Sequence, residues 1–206
     1  MSILDMETTT FIPSDKPAKT NEIVAEGKYK AAIVKVEKKQ QDKVIPSRTE
    51  NGVNHVADML QVEYVLSDDN ANHAGRHVWS SPIWIWKDTP HIKTLGLDTL
   101  LHVPNTNNNF RYHKFLEVAG YDIEEKVVEV QDSNGKTVKR KAFTLPVELD
   151  LSIAEGSQCI IDVKHEKWTN KEGEERTTAK ERGLYELEGA EKIDIKSNDD
   201  DDDLPF

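Results

Sequence analysis

Between residues 60 and 66 apolar and polar side chains alternate without a break, Leu60, Val62, Tyr64 and Leu66 on one parity and Gln61 and Glu63 on the other. Successive side chains leave a strand on opposite sides, so this is the pattern of a strand with one face in a core and the other toward water. Such a strand needs partners, and the flanking segments provide them. Residues 27–38 carry Tyr29, Ala31 and Ile33 on one parity, then Val34 and Val36 on the other, a switch that predicts a bulge or sharp bend. After a turn-rich stretch at 67–75, residues 77–86 form a third strand dense in aromatic side chains. There Ile83 and Ile85 take the core parity and Trp84 and Trp86 point outward. Trp79 has the core parity unless Pro82 introduces a bulge.

The order then changes. Residues 90–101 read as a first helix. A second runs from the Asn-rich stretch 107–109 to Ala119, with Tyr112, Phe115, Leu116 and Ala119 on one face and Gly120 as its stop. A hairpin is expected around Asn134-Gly135, then a strand over 158–168, a turn at 170–174 and a closing strand up to Leu187. In the 158–168 strand Cys159, Ile161 and Val163 share the core parity, while Lys164 and Trp168 lie opposite. A bent first strand, a meander, helices between strands three and four and a final hairpin match an all-β class with a helical insert: the five-stranded oligonucleotide/oligosaccharide-binding (OB-fold) barrel. The segment 121–150 is an insertion in that scheme. The expected organisation is a flexible N-terminal arm at 1–21, one domain at 22–190 and a disordered acidic tail at 191–206.

The chain has 206 residues, 36% of them apolar, enough for one compact domain of moderate core. Cys159 is the only cysteine, which excludes an intramolecular disulfide and points to a reducing compartment. Neither a signal peptide nor a span of about 20 apolar residues is present, so a cytosolic protein is expected. Net charge is −11; residues 194–206 hold six Asp against Lys196, leaving −6 for the body. A nucleic-acid site must therefore rest on local clusters. Seven Lys or Arg face three acids between Glu26 and Arg48, and Lys136, Lys139, Arg140 and Lys141 follow the Asn134-Gly135 turn.

The chain ends in Asp199, Asp200, Asp201, Asp202, Asp203, Leu204, Pro205 and Phe206. An unbroken Asp run stays solvated because each buried carboxylate would need its own partner. A run that only solubilises has no need of Leu204 and Phe206, whereas a partner with an apolar pocket, a basic residue for the terminal carboxylate and a positive surface would grasp all eight residues. This tip resembles the acidic C-terminal tip of bacterial single-stranded DNA-binding proteins.

The runs EGKYKAAIVKVEKK, ADMLQVEYVLSDDNANHAGRHVW and RYHKFLEVAGYD resemble a bacteriophage family that includes small single-stranded DNA-binding proteins. The resemblance implies a non-catalytic protein in the cytoplasm of the bacterial host. It would bind and protect single-stranded DNA without strong sequence preference during phage replication, recombination or repair, and recruit phage or host proteins through its tip. Single-strand binding needs π-faces for stacking and cations along the backbone. In an OB barrel the face of strands two and three and the loops joining strands one-two and four-five supply them, here residues 38–48 and 168–176. Trp79, Trp84, Trp86 and Trp168 are the stacking candidates, and Arg76, Lys87, Lys38, Lys39, Lys43 and Lys164 the phosphate candidates.

Catalysis has little support. Phosphate-loop, nucleophile-elbow and zinc spacings are missing, and His165 reads as a satisfied core or edge residue. Asp150 with Asp162-x-Lys164 imitates a metal-dependent nuclease cluster, a spacing that acidic sequences produce often. No cofactor or metal is expected. The competing class is an acidic DNA mimic that occupies the DNA site of a host enzyme, favoured by the net charge.

Overall fold

The computed structural model describes residues 23–47, 51–67, 70, 72–87, 92–94, 99–104, 109–131 and 134–193. The arm at 1–21 and the tip at 199–206 therefore lie outside the described residues. Strand β1 (Gly27–Pro46) is 20 residues long and serves two partners. Its first part pairs antiparallel with β9 (Gln158–Thr169), and from Ala31 onward it pairs with β2 (Asn54–Leu66). The ladder slips between Ile33 and Lys35, leaving Val34 as the extra residue and moving the inward parity from Ile33 to Val36. That is the bend the parity switch predicts. The core side of β2 is Leu60, Val62, Tyr64 and Leu66, all fully buried, as the alternation requires.

The aromatic segment is two strands, β3 (His77–Ser80) and β4 (Ile83–Trp86), both antiparallel to β2. The break at Ser81 and Pro82 adds one residue opposite β2, and the Ser80 hydroxyl accepts the N–H of Val62 across the gap at 2.9 Å. The slip turns Trp79 outward, so the bulge alternative at Pro82 holds and the core parity does not. Closure comes from β10 (Glu175–Glu186), antiparallel to β9 and parallel to β3 through Lys180↔Trp79 and Glu181↔Ser80. With β3 and β4 counted as one, five strands close a barrel in the order β1–β2–β3/β4–β10–β9. At the parallel contact Glu181 is buried and bonded to Arg111 at 2.8 Å, and burial still pushes its carboxyl up from the ordinary value.

Among the described residues of 90–101, which are 92–94 and 99–101, the expected helix is not formed. In its place β5 (Ile92–Thr94) and β6 (Thr99–His102) make an antiparallel pair. Gly96 and the β-branched Ile92, Thr94 and Thr99 weaken a helix there, and β6 finds a ladder partner in β8 (Thr137–Pro146) through Leu100↔Leu145. β8 continues into a hairpin with β7 (Glu124–Gln131) about Asn134-Gly135, giving a second sheet in the order β5–β6–β8–β7. The segment 121–150 is thus mostly an antiparallel extension of that sheet.

The second expected helix is α1 (Phe110–Ala119), buried through Tyr112, Phe115, Leu116 and Ala119, with Gly120 left-handed at φ +76° as its stop. Asn109 occupies the N-cap position but does not cap. Its side chain accepts the Trp86 N–H at 2.9 Å and donates to the Trp86 carbonyl at 3.1 Å, fastening the end of β4 to the helix start. Barrel, helix and the inner residues of the second sheet share one core that includes Ile33, Tyr64, Ile85, Phe115, Leu145 and Ile161.

The chain after β10 stays attached through Ile193, whose N–H donates to the Gly156 carbonyl at 3.0 Å while the Gly156 N–H donates to Ile33 at 2.9 Å. Gly156 has φ +79°, and a Cβ there would lie 2.1 Å from the Ile193 carbonyl oxygen. Gly156→Ala is therefore expected to cost about 1–2 kcal/mol from the left-handed backbone alone, a fall of roughly 2–8 °C in thermal midpoint. A fall confined to that range would show that the 187–193 segment moves aside for the added methyl group, and a larger one that it is held in place.

Candidate functional site

The outward residues of β2 meet an aromatic column. Trp86 stands opposite Ala57, Trp84 opposite Met59, Trp79 opposite Glu63 and His77 opposite Val65. Eight residues of β2 separate the ends, roughly 27 Å at about 3.4 Å per residue. Within the column Trp84 and Trp86 lie 6.0 Å apart between centroids and His77 and Trp79 6.4 Å; Trp79 is 42% exposed. His55 packs edge-on to Trp86 at 6.1 Å. Lys43, paired with Ala57 on the same side, holds its ammonium 5.4 Å from the centre of the Trp84 ring. Planar faces beside a cation on an open surface can stack flat rings and pair with the anionic groups that link them.

The other expected residues fall into different groups. Lys38 pairs with Leu60 and so lies on the core side of the barrel, where its ammonium meets Asp58 at 3.4 Å and Glu148 at 3.3 Å. Lys87 continues the parity of Ile85 and reaches Asp58 at 2.8 Å and Asp42 at 2.7 Å. Asp58 is fully buried. Burial by itself would raise its pKa, but the Lys87 hydrogen bond, the Asp42 N–H at 2.8 Å and the two ammonium charges outweigh it and hold the carboxyl below its ordinary value. Asp42 aims that N–H from a left-handed backbone at φ +48°, which Asp tolerates better than most residues. Lys38 and Lys87 thus neutralise a buried carboxylate on the face opposite the tryptophans.

Lys39 is paired with Glu37, whose carboxyl is held down to about 2 by hydrogen bonds from Lys39 and Lys35. Arg76 sits at the β2–β3 turn, half-buried, its carbonyl accepting the Leu66 N–H at 2.9 Å. Trp168 is 46% exposed near the end of β9, opposite Arg176 on β10 and on the same parity as Lys164. The first expected loop is shorter than its reading. β1 runs to Pro46, so residues 38–46 are strand and the connection is 47–53. The final turn matches, with Asn170 accepting the N–H groups of Glu172 and Glu174 at 3.1 and 2.8 Å.

Three contributors escaped sequence reasoning. His77 and Met59 were findable from strand parity, since they share faces with Trp79 and Gln61. Lys180 was not, because it joins the site through the parallel β10–β3 contact that closes the barrel.

His165 is satisfied at the sheet edge, its N–H on Glu26 at 2.8 Å and its ring against the Val24 carbonyl at 2.9 Å. Asp150 accepts the Ser152 hydroxyl at 2.6 Å, and among the described residues no group of three or more His, Cys, Asp or Glu could hold a metal ion. A cavity of about 240 Å³ between α1 and β10 is lined by Ile83, Phe110, Arg111, Lys114, Leu184 and Tyr185 with three neighbours, and contains none of the tryptophans. No helix among the described residues is long and apolar enough to cross a membrane. No family model matches the chain, and neither a curated protein nor a solved structure matches it.

Proposed function

We propose that the barrel is an OB fold and that the protein binds single-stranded DNA without strong sequence preference through the outer face of β2, β3 and β4. The observation that carries this reading is the aromatic column of Trp86, Trp84, Trp79 and His77 on one outward face, with Lys43 over Trp84. The barrel order and the parallel contact between the third and last strands support the OB assignment. The three quoted sequence runs support a phage-type protein that coats exposed strands during replication, recombination or repair in the bacterial cytoplasm. The tip at 199–206 would recruit other proteins of that machinery.

Titration with oligothymidylate while tryptophan emission is recorded tests the reading. Stacking on the column quenches the indoles. Affinity should exceed that for duplex and fall only shallowly with salt, because an acidic body neutralises few phosphates. The net charge of −11 favours the DNA-mimic alternative, which predicts no quenching and instead inhibition of a DNA-processing enzyme.

Recruitment has its own test. Phe206→Ala keeps every aspartate and should remove most partners captured from bacterial lysate, since losing a buried aromatic anchor costs more than about 2 kcal/mol at a hot spot. Identical capture by both chains would reduce the tip to a solubilising tail.

A further inference from the structure

The barrel places a second row of outward residues beside the aromatic column. Lys164 on β9 pairs with Lys180 on β10, and Lys180 stands opposite Trp79 on β3. Their neighbours Val163, Glu181 and Ser80 are buried, so the three side chains of the row share the outer surface. Adjacent strands lie about 4.8 Å apart, which puts both ammonium stems within roughly 10 Å of the Trp79 position. Among the described residues Lys180 has no carboxylate partner, and Lys164 has Asp162 at the loose distance of 3.7 Å and lies near enough to Glu26 for its charge to help hold that carboxyl down. Four residues further along β9, on the same parity, stands Trp168, with Arg176 opposite.

Two aromatic platforms, the β3/β4 column and Trp168, are thus separated by a surface that carries Lys180, Lys164 and, between Lys164 and Trp168, Glu166 held in an ion pair by Arg182 at 3.3 Å. We propose that one DNA strand leaves the column at Trp79 and crosses the barrel over Lys180 and Lys164 toward Trp168, with both lysines holding backbone phosphates. This rests on the single-strand reading above and extends it from a face to a path. Base stacking is sequence-tolerant and lysines read only phosphate, so the path carries no sequence preference of its own.

The experiment compares the intact chain, Lys164→Ala/Lys180→Ala and Lys139→Ala/Arg140→Ala, the last removing two cations from the β7–β8 hairpin of the other sheet. Each is titrated with oligothymidylates of about 4 and about 16 nucleotides, the range one barrel of this kind covers. For the long oligomer the Lys164/Lys180 variant should lose roughly tenfold in affinity at 50 mM salt. The slope of log affinity against log salt should become shallower by about 1.4, at about 0.7 per phosphate. The short oligomer, held at Trp84 and Trp86, should bind as before, and the Lys139/Arg140 variant should match the intact chain.

Equal slopes for the Lys164/Lys180 variant and the intact chain, with Trp84→Ala still weakening binding, would overturn the path and leave the face standing. Equal losses in the two double variants would also overturn it, by showing a bulk-charge effect. An intact chain that binds neither oligomer removes the face and the path together.

Discussion

Replacing Trp84 and Trp86 by alanine should weaken single-stranded DNA binding by roughly 2–4 kcal/mol, about 30- to 700-fold, at about 1–3 kcal/mol for each stacked base. The barrel should survive. Ile83 and Ile85, not the tryptophans, are the fully buried residues of β4, and the ladder to β2 runs through backbone groups that the substitutions leave in place. Trp86 also packs against the edge of the core, so Trp84→Ala alone supplies the cleaner comparison. It removes one stacking face and the partner of Lys43, and should cost about half the double effect. Binding measured beside a thermal melt separates the two contributions. A folded double variant with undiminished affinity would exclude this face as the binding surface.

Lys38→Met/Lys87→Met should destabilise the fold by about 3–5 kcal/mol, because it strips a fully buried carboxylate of both its cations and leaves Asp58 only the Asp42 N–H. Adding Asp58→Asn to that pair should recover part of the loss, since no uncompensated charge then remains inside. Per folded molecule, DNA affinity should change little, which separates these lysines from Lys43. The pH dependence has a definite sign. The folded pKa of Asp58 lies below its ordinary value near 3.9, so its pairing contributes fully above that pH and is lost as pH falls through the lower folded value. Acid unfolding monitored below about pH 4 should be less steep in Asp58→Asn than in the unaltered chain. Equal stability of the Lys38/Lys87 variant would mean that water, not lysine, compensates Asp58.

Much of the barrel was legible because strand parity is a local property. Leu60, Val62, Tyr64 and Leu66 could only share a face, the switch after Ile33 could only be absorbed by an extra residue, and Ile83 and Ile85 set Trp84 and Trp86 outward. The 90–101 segment was not legible in the same way. Its apolar residues fit a helix or a pair of short strands, and the decision fell to β8, which offers Leu145 to Leu100.

The candidate site divides along the same line. Sequence alone determined that Trp84 and Trp86 leave the core of their own strand and where chain-reversing glycines and asparagines fall, because each follows from a residue and its near neighbours. Only the tertiary structure decided that Lys38 and Lys87 serve Asp58 on the inner face, that Trp79 is turned outward by the Ser81-Pro82 break, and that Lys180 stands beside it. Those outcomes depend on which strands meet and in what register, and pairing between residues 100 apart along the chain leaves no trace in the local pattern of either.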